Sequence, residues 1–142
     1  MKKVGYILLQ IAACLVLLGG MADLLMPFFI HSLPEAHAKY LRLNNEDVSL
    51  ELINFDHAFI RAIGGCLIAI GIGMITIIYG ALKTQTRSVL IPLLLMVTTG
   101  EGINTLQMLS IHSPYFFFPL ICLIFTWVGG IVWWVGNSRK QE

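Results

Sequence analysis

Four long apolar runs dominate this chain of 142 residues and limit what it can fold into. An α-helix needs about 20 apolar residues to cross the hydrocarbon core of a bilayer. The runs lie at about 4–29, 57–82, 89–109 and 115–136. Inside a bilayer the chain itself must satisfy every backbone polar group, which leaves only helices and closed barrels as spanning structures. Apolar runs of this length predict four transmembrane helices.

The overall composition also indicates a membrane protein. Hydrophobic residues make up 57% of the chain and charged residues only 12%, whereas soluble domains have about 25% charged residues. The formal net charge is +1 and the basic residues are scattered in pairs, so nucleic-acid binding is not supported. We therefore predict an all-α fold, a four-span bundle in the lipid bilayer, with residues 1–142 forming a single transmembrane domain.

The first apolar run has a competing interpretation as a cleaved signal peptide. Lys2 and Lys3 precede it, and the small-residue stretch 20–22 imitates a cleavage site. However, the apolar run continues past this stretch as far as Phe29, which is longer than the apolar region of a signal peptide. The length of the run favours a membrane span.

The distribution of basic residues predicts the orientation of the bundle. Cytoplasmic loops of membrane proteins carry an excess of lysine and arginine. The loop 30–56 instead carries five acidic residues against two basic ones. We therefore predict a protein of the cell inner membrane with both termini cytoplasmic and the loop 30–56 extracytoplasmic. The basic residues behind this prediction are Lys2, Lys3, Lys83, Arg87, Arg139 and Lys140.

The extracytoplasmic loop is predicted to be structured. Pro34 and Glu35 are typical of a helix start, because proline fits the first turn and an acid complements the helix dipole. A short helix over 36–43 would then end at the asparagine pair 44–45. From Asp47 onward apolar residues recur at helical spacing, so we expect the second span to begin outside the membrane as an amphipathic segment. Its apolar positions are Val48, Leu52, Phe55 and Phe59.

Two charged residues stand well inside the second and third apolar runs. Glu101 stands between Gly100 and Gly102 in the third run, and Arg61 stands in the second. An ionisable group at mid-bilayer costs about 2.5–3.5 kcal/mol on insertion scales, so such groups usually face the bundle interior and pair. A helix rises 1.5 Å per residue, which puts Arg61 roughly 7 Å and Glu101 roughly 13 Å below the outer surface. This small difference in depth predicts an Arg61–Glu101 ion pair.

Three further polar residues are predicted to lie near this pair. Asn104 is one turn outward of Glu101, and His57 stands in the same relation to Arg61. Asp23 lies near the outer end of the first span. Two interpretations of this five-residue cluster remain open. It is either a buried ionic lock that fixes the packing of the first three spans or an outward-facing site that binds a ligand.

Metal and redox sites find little support in the sequence. No two of the four histidines have a tight ligand spacing such as HxxxH, and the three cysteines form no CxxC pair. We therefore predict no metal site, assign no catalytic residue and leave the cofactor unknown. The histidines are His31, His37, His57 and His112, and the cysteines are Cys14, Cys66 and Cys122.

The second span resembles one bacterial family. A Met-Pro pair at 26–27 closes the first span, and the sequence RAIGGCLIAIG at 61–71 opens the second after an outer loop. This arrangement resembles small four-helix bacterial membrane proteins of the DoxX-like type and their uncharacterised relatives. The resemblance implies a four-span fold and carries over only Arg61, Gly64 and Gly65, without a catalytic role. DoxX itself is associated with membrane redox work involving quinones.

The leading functional prediction is non-catalytic. The protein would bind a small molecule or lipid headgroup at the polar cluster, or act as accessory subunit of a membrane complex; the glycine-rich helix faces also fit a homo-oligomer. One alternative is a membrane enzyme that uses Glu101, with His57, as acid or base on a lipophilic substrate such as a quinone. Another is a proton- or ion-coupled carrier, against which a continuous apolar plug below Glu101 would count.

Overall fold

The computed structural model describes residues 1–44, 48–82 and 86–138, and over these residues it is helical without a strand. The helices are α1 (Lys2–Phe29), α2 (Glu35–Leu41), α3 (Leu50–Ile77), α4 (Leu90–Ser110) and α5 (Phe117–Ser138). A π-helical turn, Ile78–Leu82, follows α3, and short 3-10 turns, Arg87–Val89 and Pro114–Phe116, precede α4 and α5. Several residues used in the orientation and loop predictions lie outside the described residues. These are Asn45, Glu46, Asp47, Lys83, Arg139 and Lys140.

Four helices, α1, α3, α4 and α5, are long and apolar enough to cross a membrane. They coincide with the four predicted spans, so by length and composition the chain is an integral membrane protein. Their outward faces carry large exposed apolar side chains such as Leu18, Leu95 and Ile131. Lipid rather than water is the natural neighbour of such faces.

Helix α1 organises the bundle. It packs extensively against α3 on one side and α5 on the other, while α4 packs against α5 and makes a smaller contact with α3. The links between α3 and α4 and between α4 and α5 are short, as antiparallel neighbours require. The core between the helices is apolar. Its fully buried members are Leu9, Ala12, Ala13, Met74, Ile78, Leu82, Leu93, Val97 and Trp133.

Glycines allow α1 to approach its neighbours at backbone distance. A Cβ atom on Gly20 would lie 2.8 Å from the carbonyl oxygen of Gly64, and one on Gly64 would lie 2.7 Å from that of Gly20. The adjacent Gly19 and Gly65 face open space, where a Cβ atom would meet nothing within 4 Å. Only one residue of each glycine pair therefore holds the α1–α3 contact, since small residues let membrane helices touch.

The segment between α1 and α3 is tied to the start of α3 by two successive residues. The ring nitrogen Nδ1 of His37, in α2, donates to Oδ1 of Asp56 at 2.6 Å. Nε2 of His57 donates to the backbone carbonyl oxygen of Ser32 at 3.2 Å. Helix α2 ends earlier than predicted, because Arg42 adopts a left-handed conformation (φ 56°) that closes the helix before Asn44. We call this end of the bundle the α2 end, and the end with Lys2 and Arg87 the basic end.

The first turns of α3 reverse the usual pattern of a water-soluble helix. The Ser49 hydroxyl caps the helix by accepting from the Leu52 amide. Phe55 and Phe59, part of the predicted apolar stripe, face outward and are more than half exposed, whereas His57 is buried. Such an arrangement suits lipid, where apolar side chains face out and polar ones find partners inside.

The glycine contact generates a matched pair of variants. Gly64→Leu forces α1 away from α3, and overpacking of this kind typically costs about 1–3 kcal/mol. Gly65→Leu adds the same side chain where nothing is in contact, so its stability should be close to that of the wild type. Thermal unfolding in detergent micelles, followed by circular dichroism, measures both. Equal destabilisation by the two variants would contradict the α1–α3 geometry.

Candidate functional site

Glu101 is the deepest ionisable group that the sequence pointed to. Buried residues of α4 recur every four residues, at Leu93, Val97, Glu101 and Thr105. Residues at this spacing share one helix face, so Glu101 belongs to the inward stripe of α4, and it is only 2% exposed. The Thr105 hydroxyl donates to the backbone carbonyl oxygen of Glu101 at 2.7 Å and leaves the Glu101 carboxyl free for other partners.

The neighbours of the Glu101 carboxyl come from three helices. The Asn104 amide, one turn away on α4, is within hydrogen-bonding range, and the Asp23 carboxyl on α1 is close enough to repel it. The buried Cys122 thiol on α5 is an electrostatic neighbour as well. The structure thus brings together three of the five predicted residues, namely Asp23, Glu101 and Asn104.

Asp23 is placed by the contact between α1 and α3. A Cβ atom on Gly64 would lie 3.0 Å from the Cβ atom of Asp23, so the absence of a side chain at Gly64 makes room for the acid. Asp23 is half-buried, unlike Glu101. It therefore provides the more accessible edge of the site.

Arg61 does not join this group. It is exposed, and the central carbon of its guanidinium lies 5.8 Å from the ring centre of Phe28 on α1. Within the described part of the chain the side-chain ion pairs are His37–Asp56 and Lys39–Glu35, so the expected Arg61–Glu101 pair is not formed.

The rotation of α3 explains the position of Arg61. The inward stripe of α3 runs through His57, Ile60, Gly64 and Leu67. Arg61 lies one residue beyond Ile60, and one residue turns the chain by about 100° around the helix axis. The depth of Arg61 along α3 is therefore compatible with an ion pair to Glu101, but its position around the helix axis is not.

His57 is buried but is engaged elsewhere. Its ring nitrogen donates to Ser32, in the segment that carries α2. Its contact therefore ties the start of α3 to the segment that carries α2.

Cys122 was missed as a neighbour of Glu101. The three cysteines were considered only for a CxxC pair, which they do not form. A signal was nevertheless present, because Cys122, Thr126, Gly129 and Trp133 recur at helical spacing and all are buried in the structure. Counting this stripe on α5 places Cys122 on the same inward side as Glu101. Among the described residues, no group of three metal-ligand side chains could hold a metal ion.

The chain was compared with protein-family models, with curated protein sequences and with solved structures, and no match was found. The DoxX-like resemblance stays a prediction. Its three residues have different surroundings in the bundle: Gly64 contacts α1, whereas Gly65 and Arg61 are exposed.

The separation of Arg61 from Glu101 can be tested by a double-mutant cycle. For Arg61→Gln and Glu101→Gln we expect changes in unfolding free energy that add within about 0.5 kcal/mol, as they do for residues without contact. Unfolding of the purified protein in mixed micelles on addition of sodium dodecyl sulfate measures the four variants. Breaking a buried ion pair typically costs about 3–5 kcal/mol. A strong coupling between the two substitutions would therefore contradict the separation of Arg61 from Glu101 and support the ionic lock.

Proposed function

We propose that this protein binds a positively charged small molecule, or a lipid headgroup with a positive charge, at Asp23 and Glu101. The observation that supports this function is the burial of the Glu101 carboxyl beside a second carboxyl, with no basic side chain paired to either in the described ranges. Repulsion between carboxylates is strongest away from water. A bound cation would relieve this repulsion.

An ammonium group matches the site chemically. It has three N–H donors and no acceptor. The carboxyl oxygens of Asp23 and Glu101 and the amide oxygen of Asn104 offer three acceptor groups. Hydrogen bonds between an ammonium group and a carboxylate are about twice as strong as those between neutral groups. We therefore infer a primary amine, free or as part of a lipid headgroup, as the ligand class.

The proposed site lies nearer to the α2 end than to the basic end. At 1.5 Å per residue Glu101 lies about 13 Å from the end of α4, and Asp23 about 9 Å from the end of α1. Lys2, Lys3 and Arg87 lie at the opposite end, which the positive-inside rule assigns to the cytoplasm. We therefore expect the ligand to reach the site from the extracytoplasmic side of the cell inner membrane, past the half-buried Asp23.

A binding function is better supported than transport. Below Glu101, toward the basic end, the core contains Val97, Leu93 and Met74, all fully buried and apolar. This is the apolar plug that would count against a carrier. An enzyme using Glu101 with His57 loses its support as well, since the His57 ring bonds to the Ser32 carbonyl oxygen.

An accessory-subunit role would place a basic side chain of a partner protein at the same carboxyls. Glu101 is only 2% exposed, so a partner helix would have to separate α4 from the helices packed against it to reach the Glu101 carboxyl. A small amine needs only the edge at Asp23. The geometry therefore favours a small ligand over a protein partner.

The proposal predicts a charge-specific response. Octylamine, which is protonated at neutral pH, should raise the thermal midpoint of the purified protein in dodecyl maltoside, whereas octanol, a neutral chain of the same length, should not. Glu101→Gln removes the charge with little change of shape and should weaken the response about tenfold or more, as loss of a hydrogen bond to a charged group does. Equal responses to octylamine and octanol would contradict the proposal.

Glu51→Gln is the matched control. Glu51 is an exposed acid in the first turn of α3, so its substitution removes the same charge far from the site. This variant should keep the full octylamine response. If Glu101→Gln responded as Glu51→Gln does, the amine would be attracted by general surface charge and the site would lose its support.

A further inference from the structure

Among the described residues at the basic end of the bundle, three buried polar atoms have no hydrogen-bond partner. They are Nε of Arg87, Nε1 of Trp133 and Oδ1 of Asn137. Trp133 is fully buried and Asn137 is 3% exposed. Buried polar groups in folded proteins nearly always have a partner, and an exception calls for an explanation such as a bound ion. Three exceptions from neighbouring elements point to one bound group.

Local contacts hold these residues together. Trp133 and Asn137 are four residues apart on α5 and share its inward face. Nη2 of Arg87, at the start of the 3-10 turn before α4, donates to the backbone carbonyl oxygen of Asn137 at 2.8 Å. The Arg87 guanidinium also lies over the Trp134 ring, 5.6 Å from its centre. Its orientation is therefore fixed from two sides while its Nε–H remains unused.

Lys2 brings a second positive charge to this place. Its ammonium lies 5.8 Å from the centre of the Trp133 ring. A Cβ atom on Gly136 would lie 2.9 Å from the Cα atom of Lys2, so the missing side chain of Gly136 lets the start of α1 reach α5.

The kinds of atom without partners define the ligand chemistry. Two are N–H donors, and one of these belongs to a guanidinium, which matches phosphate oxygens. The third is an amide oxygen, which needs a hydroxyl or an ammonium as donor. The ligand therefore combines a phosphate with a hydrogen-bond donor next to it. The trimethylammonium group of phosphatidylcholine has no such donor.

We propose that Arg87, Trp133 and Asn137 form a binding site for a phosphate group with a neighbouring donor, in the headgroup layer at the basic end. Arg87 and Trp133 donate to phosphate oxygens, and the Asn137 amide oxygen accepts from the donor. A phospholipid such as phosphatidylglycerol and a free hydrogen phosphate ion both carry this chemistry. The site is separate from Asp23 and Glu101 and does not depend on the function proposed for them.

The first test compares probes on the wild-type protein in dodecyl maltoside. Thermal midpoints are measured with dioleoylphosphatidylglycerol, with dioleoylphosphatidylcholine, and with sodium phosphate against sodium chloride at matched ionic strength. Stabilisation by phosphatidylglycerol beyond phosphatidylcholine identifies a lipid headgroup, and stabilisation by phosphate beyond chloride identifies the free ion. Either result supports the site. The proposal is overturned if neither pair of probes shows a difference in thermal midpoint.

The second test separates a built site from general attraction to basic residues. Arg87→Gln should weaken the response to the active probe about tenfold, as expected for the loss of a charge-assisted hydrogen bond. Lys3→Gln removes the same charge from an exposed position at the same end of the bundle and should leave the response unchanged. Equal weakening by the two variants overturns the proposal.

A third variant covers the case in which Arg87→Gln fails to fold. Trp133→Phe keeps an aromatic ring in the core and removes the N–H without a partner, which offsets part of the cost of the smaller ring. Its response to the probe should nevertheless weaken severalfold. Trp127→Phe is the control, because the Trp127 indole donates to the Thr98 hydroxyl instead. A full response by Trp133→Phe overturns the proposal.

Discussion

The backbone contact between α1 and α3 at Gly20 and Gly64 sets the geometry on which the Glu101 site depends. Membrane helices gain no hydrophobic stabilisation from leaving lipid for one another, so they associate through close packing. Here the closeness comes from the absence of side chains at two positions. The same contact leaves space for the Asp23 side chain beside Gly64. The packing of the helices and the acidic site therefore have one cause.

The spans were predictable because lipid imposes a length and an apolar composition on a helix. The inward position of Glu101 was predictable for a similar reason, since a carboxyl in lipid has a large penalty. The Arg61–Glu101 pair was not, because depth along a helix carries no information about rotation around it. A long arginine side chain near the membrane surface can also reach the headgroup layer on its own, so Arg61 had no need to turn inward.

The histidines show a second limit of sequence reasoning. The spacing of the four histidines did not support a metal site, and in the structure His37 and His57 have different partners. One donates to the Asp56 carboxylate and the other to the Ser32 backbone carbonyl oxygen. Asp56 and His57 are successive residues, so one turn of α3 holds both α2 and the residues before it. Sequence spacing does not reveal this use, because the partners are 19 and 25 residues away.

Buried polar groups toward the two ends of the bundle differ in kind. On the α2 side the buried group is the Glu101 carboxyl, and its neighbours among the described residues are another acid, an amide and a thiol. At the basic end, within the described ranges, the groups without a hydrogen-bond partner include a guanidinium N–H and an indole N–H. In a water-soluble protein, solvent would reach many such groups and make them uninformative. In lipid, solvent is excluded, so a buried polar group without a protein partner keeps its desolvation penalty, and this is why the two proposed ligands have opposite charges.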